Sequence, residues 1–239
     1  MFYLIGLGLN ADSLTREAEK ILKKCEKIYL ENYTIDFPYD MKKLHEITGK
    51  SIELGREKVE SEEIVLEAKD KDVALLVYGS PLIATTHISL ILRAEKEKIP
   101  VKVVHNASIF DSISETGLQS YKFGKIASMP SWKDKGKTAS FVKIIKDNQG
   151  IDAHSLILVD IGLKLKEALE QLEEAFKDEK IEKLLDKEIL VCSQLGYKGR
   201  IVYAKIDELK KLDLKLPICF IIPAKMHFLE EEALRRFEI

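Results

Sequence analysis

Short apolar runs alternate along most of the chain with longer stretches whose apolar positions recur at helical spacing. That alternation is the signature of a wound α/β protein with largely parallel strands. Phe2 to Leu7 predicts a first buried strand. After a glycine turn, Asp12 or Ser13 can cap a helix through Leu14, Ala18, Ile21 and Leu22. Lys27 to Leu30 predicts a second strand and Glu60 to Ala68 a helix. Asp72 to Tyr78, DVALLVY, is the clearest strand of the first half and ends in Gly79-Ser80-Pro81. A helix from about Thr86 to Lys98 then leads to the strand Val101 to His105, and this half reads as a three-layer unit. In the second half, Ile126 to Ser128, Ser155 to Asp160, Ile189 to Ser193, Arg200 to Lys205 and Ile218 to Ile222 predict strands, and Leu165 to Phe176 an amphipathic helix. The last three strands follow one another closely, with only the short polar segment Asp207 to Leu212 between the final two, which predicts a mixed sheet.

A length of 239 residues suits one large or two modest domains. The boundary falls near residues 106 to 112, giving an N-terminal α/β domain over 1–108 and a C-terminal α/β domain with a mixed sheet over 109–239. With 46% hydrophobic residues the chain is a folded protein rather than a disordered one. Lys and Arg number 38 against 40 Asp and Glu, so binding of nucleic acid through bulk positive charge is excluded. The opening MFYLIGLGL breaks at two glycines and lacks the basic start of a signal peptide, and no apolar run is long enough to span a membrane. A soluble, cytoplasmic protein is expected. Cys25, Cys192 and Cys219 are far apart in sequence and form no CxxC or Cys/His pair, so neither a disulfide framework nor a metal site is expected.

Four loops are candidates for chemistry. Gly6-Leu7-Gly8-Leu9-Asn10-Ala11 has the form GxGxxA after a strand, and Glu31 closes the next strand, so a dinucleotide site is one reading. A plain glycine turn outweighs it, because Asp12 and Ser13 supply side-chain caps where a pyrophosphate would sit. Gly79-Ser80-Pro81-Leu82-Ile83-Ala84-Thr85-Thr86-His87 stands at the carboxyl end of a buried strand, where ligands of open α/β sheets bind, although Gly-Ser-Pro is also ordinary turn chemistry. His87 has no acidic partner evident in sequence, and a packing role outweighs acid/base work. His105-Asn106-Ala107-Ser108-Ile109-Phe110 lies at the domain junction, as either a cleft loop or a linker. Thr116 to Lys125, TGLQSYKFGK, reads most simply as a helix terminating at Gly124.

Taken in order, GLGL, Glu31-Asn32-Tyr33-Thr34, GSPLIATTH, HNASI, TGLQSYKFGK, Ile144-Ile145-Lys146-Asp147-Asn148, Asp152-Ala153-His154, LILVDI and Pro223-Ala224-Lys225-Met226-His227-Phe228 resemble the diphthine synthase family of the tetrapyrrole methylase superfamily over nearly the whole chain. The resemblance implies a two-domain tetrapyrrole-methylase-like α/β fold, a class III methyltransferase, with the cofactor in the cleft between domains. It implies S-adenosyl-L-methionine as cofactor, S-adenosyl-L-homocysteine as product, a homodimer, and translation elongation factor 2 as protein substrate, methylated on a histidine bearing a 3-amino-3-carboxypropyl group. Carried over residue by residue, the family's cofactor contacts become Leu9, Ser80, Ile83, Ser108, Ile109, Val159, Leu195 and Ile218. The chain departs from the family where Gly79-Ser80-Pro81 replaces GDP, Ser193-Gln194-Leu195-Gly196 replaces ARAG, and Ile218 replaces a histidine. No general base is assigned; His87 and His227 are the candidates. Two other readings stay open: a superfamily methylase acting on a tetrapyrrole or another small molecule, and a diverged non-catalytic dimeric binding protein.

Overall fold

The computed structural model describes residues 1–49 and 51–239. The chain divides into two compact units, Met1–Asp111 and Ser112–Ile239. Each is built on its own five-stranded sheet.

In the first unit, β1 (Phe2–Gly6), β2 (Lys27–Glu31), β3 (Ile52–Leu54), β4 (Val73–Val77) and β5 (Val101–Val104) run parallel in the order β3-β2-β4-β1-β5. A parallel sheet must be covered on both faces, and β1 supplies both cores by alternation. Phe2 and Leu4 pack with Leu75, Val77 and Leu90 on one side, while Tyr3, Ile5 and Leu7 pack with Ala74, Leu76 and Leu44 on the other. The three-layer reading follows from that. The connections leaving the neighbours β1 and β4 run in opposite directions across the sheet, which places the carboxyl ends of β1, β4 and β5 side by side at a switch in strand order.

Two local predictions change, and two elements were not predicted. The first helix, Arg16–Leu22, is capped by Thr15, whose hydroxyl accepts from the Ala18 amide at 3.1 Å; Asp12 and Ser13 instead lie in a preceding turn of 3-10 helix capped by Asn10. The predicted helix from Glu60 to Ala68 is two short helices, Arg56–Glu60 and Glu63–Leu66, broken at Glu62 with φ 61°. In one continuous helix Val59 and Val65 would face about a third of a turn apart, whereas the break lets Val59, Ile64 and Val65 enter one core. The helix Met41–Thr48 and the edge strand β3 escape the pattern, because the helix buries only Leu44 and Thr48 and Ile52 and Glu53 are exposed.

In the second unit, β6 (Ala127–Met129), β7 (Ser155–Val159), β8 (Ile189–Ser193), β9 (Arg200–Ala204) and β10 (Ile218–Ile222) form a sheet in the order β6-β7-β10-β8-β9. The β6–β7 pair is parallel and the other pairs antiparallel, so the sheet is mixed as predicted. Helices Ser140–Gly150 and Leu165–Asp178 cover one face, where Phe141, Ile145, Leu169, Leu172 and Phe176 pack on Ile157, Val191 and Phe220. Residues on the opposite face, including Leu190, Cys192, Cys219 and Ile221, are also buried. Cys192 and Cys219, remote in sequence, stand directly opposite each other on antiparallel strands as free thiols. A hydrogen bond to Cys219, together with burial, pushes the Cys192 pKa up and keeps it a thiol. Among the described residues no helix is long and apolar enough to cross a membrane.

Candidate functional site

The carboxyl edge of the first sheet is built by loops that lock one another. The Gly8 amide donates to the Gly79 carbonyl at 3.1 Å and the Gly79 amide to the Gly8 carbonyl at 2.9 Å, a small antiparallel bridge between the loops after β1 and β4. Gly8 and Gly79 adopt φ of 73° and 69°, conformations that side-chain-bearing residues resist. The loop after β5 lies against this bridge: a Cβ on Gly79 would sit 3.7 Å from the Ala107 carbonyl oxygen and 3.8 Å from Ser108 Cα. Leu9, Ser80 and Ser108 are thus held on one edge, with Ile83 bonded back to the Ser80 carbonyl at 3.1 Å and Ile109 next in chain.

The polar groups at this edge are largely committed to shaping it. The Tyr78 hydroxyl donates to the Leu9 carbonyl at 3.1 Å, and its ring packs edge-on against Phe37 at 5.5 Å. Asp111 Oδ2 accepts from the Ser108 amide at 2.7 Å and from its hydroxyl at 2.9 Å, which holds the Asp111 carboxyl below its ordinary range. The dinucleotide reading loses its acid: buried Glu31 accepts from the amides of Tyr33 and Thr34 at 3.0 and 2.7 Å and from the Thr34 hydroxyl at 2.7 Å, closing its own turn. His87 is 1% exposed, and its Nδ1 lies 3.0 Å from the Pro81 carbonyl. A carbonyl only accepts, so Nδ1 carries the proton. Nε2 is buried without a partner among the described residues.

In the second unit the predicted contacts gather at one end of the sheet. Ile218 pairs with Ser193 on β8, and Cys219 with Leu158 on β7, so Val159, Ile218 and the turn carrying Leu195 are neighbours in register. Gln194 fixes that turn. With φ 48°, its amide donates to the Pro217 carbonyl at 2.9 Å and its side-chain Nε2 to the Leu216 carbonyl at 2.7 Å. A polar residue in a loop gave the sequence reading no signal for this role.

The YKFGK, DAH and PAKMHF motifs meet in the second unit around one carboxylate. Glu230, fully buried, accepts at Oε1 from the Gln119 amide at 2.9 Å and from His154 Nε2 at 3.0 Å. At Oε2 it accepts from Lys122 Nζ and from the His227 amide at 2.7 Å. The Ala224 amide donates to His154 Nδ1 at 3.0 Å, so the neutral imidazole carries its proton on Nε2. Burial pushes the Glu230 pKa up, yet the donated bonds from His227, Lys122, Gln119 and His154 outweigh it and bring it to about 2.

The helix expected to end at Gly124 is a single 3-10 turn, Ser120–Lys122, that ends two residues earlier. Gly124 lies beside Asn148, whose side chain accepts from the Lys125 amide at 3.0 Å and donates to the Lys125 carbonyl at 2.8 Å and to Ser155 Oγ at 3.1 Å. A Cβ on Gly124 would come within 2.2 Å of Asn148 Oδ1. Because three bonds pin that amide, Gly124→Ala is expected to destabilise the protein by about 2–3 kcal/mol, read as a lower urea midpoint at unchanged slope.

Comparison with known proteins identifies the lineage. The sequence profile of the tetrapyrrole (corrin/porphyrin) methylases matches residues 1–210. The chain belongs to the tetrapyrrole methylase family. Within it, this methylase is 36% identical over 253 residues to the diphthine synthase of Methanocaldococcus jannaschii, covering 98% of each chain. It is 35% identical over 269 residues to the diphthine methyl ester synthase of Schizosaccharomyces pombe, covering 100% of this chain and 95% of the relative. A crystal structure of diphthine synthase matches it with a TM-score of 0.89 at 29% identity, over 100% of this chain and 96% of the other. The motifs that carry the methylase resemblance therefore divide by role: the glycine loops shape the edge where β1 and β4 end, whereas YKFGK and PAKMHF converge on the buried Glu230 and hold the second unit together.

Proposed function

We propose that this methylase is a diphthine synthase: an S-adenosyl-L-methionine-dependent methyltransferase acting on the 3-amino-3-carboxypropyl-histidine of translation elongation factor 2, on the route to diphthamide. The observation that carries the reading is likeness to diphthine synthases over nearly the full length of both chains. The proposed cofactor contacts are Leu9, Ser80, Ile83, Ser108 and Ile109 in the first unit and Val159, Leu195 and Ile218 in the second. The glycine-bridged edge fits such a ligand, since Gly8 and Gly79 leave backbone close by and the half-buried Ile83 and Ile109 offer apolar surface for an adenine ring, with Leu9 buried in the first loop. The protein is proposed to work in the cytoplasm as a homodimer.

The cofactor supplies an activated methyl group with a neutral leaving sulfide. The chain's contribution is then to position the reacting atoms, about 3–3.5 Å apart, an effect worth about 7–11 kcal/mol in well-oriented systems. A nucleophilic amine must first lose a proton. His227 Nδ1 accepts from the Leu229 amide at 3.3 Å, which puts the proton of its neutral ring on Nε2, and the basic nitrogen of His87 is buried. Both arrangements support release of that proton to water rather than to either imidazole.

The test is to incubate the purified chain with methyl-labelled S-adenosylmethionine and elongation factor 2 bearing the precursor histidine. Label in the factor is expected, and counting the methyl groups by mass, with alkali to reveal an ester, decides between the two activities for which the relatives are named. Absence of S-adenosylmethionine binding by calorimetry at millimolar concentration would end the reading. Labelling of a tetrapyrrole but not of the factor would replace it with small-molecule methylation, and binding without turnover would mark a non-catalytic protein.

A further inference from the structure

The cofactor reading assigns no role to Asn106, yet this half-buried side chain makes three hydrogen bonds at the first-unit edge. Its Nδ2 donates to the Gly6 carbonyl at 3.1 Å and to the Ser13 carbonyl at 2.9 Å, spanning the start and the end of the loop that carries Leu9. Its Oδ1 accepts from the Ala107 amide at 2.8 Å, which fixes the turn into Ser108 and Ile109. The glycines of the first loop make room for it: a Cβ on Gly6 would lie 3.1 Å from Asn106 Cβ, and one on Gly8 would lie 2.9 Å from Asn106 Oδ1. Gly8 is in turn bridged to Gly79, so the loops holding Leu9, Ser80 and Ser108 all reach Asn106 directly or through a single further hydrogen-bonded bridge.

We infer that Asn106 is a positioning residue for cofactor binding, setting the spacing of the Leu9, Ser80 and Ser108 loops without touching the ligand. The chemistry demands an amide. Both a donor pair and an acceptor are used, and among side chains of this length only asparagine presents them from one planar group. The inference rests on the reading of this edge as the S-adenosylmethionine site.

Asn106→Asp is the discriminating variant. The carboxylate keeps the bond from the Ala107 amide but turns an oxygen toward the carbonyls of Gly6 and Ser13, which repels both and raises the pKa of the new acid. Once protonated, the acid can donate to one of the two carbonyls again. Calorimetric affinity for S-adenosylhomocysteine is expected to fall by about tenfold or more at pH about 8 and to recover to within about threefold of the unaltered protein at pH about 5. Asn106→Ala is expected to show a similar loss at both pH values, without recovery. In steady state, KM for S-adenosylmethionine should rise while KM for the factor stays unchanged. Variants that fold and bind like the unaltered protein at both pH values would overturn the inference while leaving the cofactor reading intact. Loss of kcat with KM for S-adenosylmethionine unchanged, or loss of folding in both variants, would overturn it by assigning Asn106 to stability. An unaltered protein that binds no S-adenosylhomocysteine would overturn both.

Discussion

Glu230→Ala is expected to lower the free energy of unfolding at neutral pH by about 3–5 kcal/mol, the cost of stripping a buried charge network of one partner. Four donors lose their acceptor at once: the amides of Gln119 and His227, the Lys122 ammonium and His154 Nε2. Glu230→Gln keeps the shape but points an NH2 group at donors, so it is expected to recover only part of the loss. The same carboxylate sets an acid limb of stability. Its folded pKa of about 2 lies below the ordinary 4.5, so the unfolded chain binds the extra proton and the contribution, about 3 kcal/mol at about 1.36 kcal/mol per unit, is complete above about pH 4.5 and is lost as pH falls toward 2. His154 acts in the same direction. Burial lowers its pKa, and both ring nitrogens are engaged, so protonation costs the bond from Ala224 and stability declines as pH drops below the ordinary histidine range. Urea denaturation as a function of pH checks both statements. An acid limb equally steep in Glu230→Gln would remove Glu230 from the account.

The helix carrying Glu230 shows why part of the fold was hidden from pattern reading. Phe228–Leu234, FLEEEAL, exposes Phe228 at 66% and Leu229 at 54% while burying Glu230 completely, the reverse of what hydrophobic periodicity expects. The strands β1, β4, β7, β8 and β10 were legible because runs buried on both sides leave little choice of identity, only of ends. Even so, β6 begins one residue later than expected: in a run this short nothing selects between Ile126, which is exposed, and Met129, which is fully buried. At the candidate site, glycine spacing announced the loops after β1 and β4, since only a few backbone shapes require glycine, and position at the domain junction the loop after β5. Asn106, Tyr78 and Gln194 gave no such announcement, because their work is hydrogen bonding to distant carbonyls and loops are polar by default.

Gly6→Ala is expected to abolish measurable cofactor binding, with affinity lowered about a hundredfold or more, equivalent to about 2.7 kcal/mol. Gly6 ends β1 in register with Val77, and its φ is one that alanine adopts freely, so the penalty is one of space. A Cβ there would lie 2.6 Å from the Gly79 carbonyl oxygen and 3.0 Å from Pro81 Cδ. No rotamer relieves a contact with a backbone oxygen, and that same oxygen accepts the Gly8 amide in the bridge between loops. The loops after β1 and β4 must part, at an overpacking cost of about 1–3 kcal/mol to the fold, and Leu9 and Ser80 part with them. Gly150→Ala is the matched control: nothing lies within 4 Å of its Cβ position at the end of the helix Ser140–Gly150, and a stability change within about 0.5 kcal/mol with unchanged binding is expected. Should Gly6→Ala fold with a lowered Tm yet bind S-adenosylhomocysteine as tightly as Gly150→Ala does, the bridged glycine edge would not be where the cofactor is held.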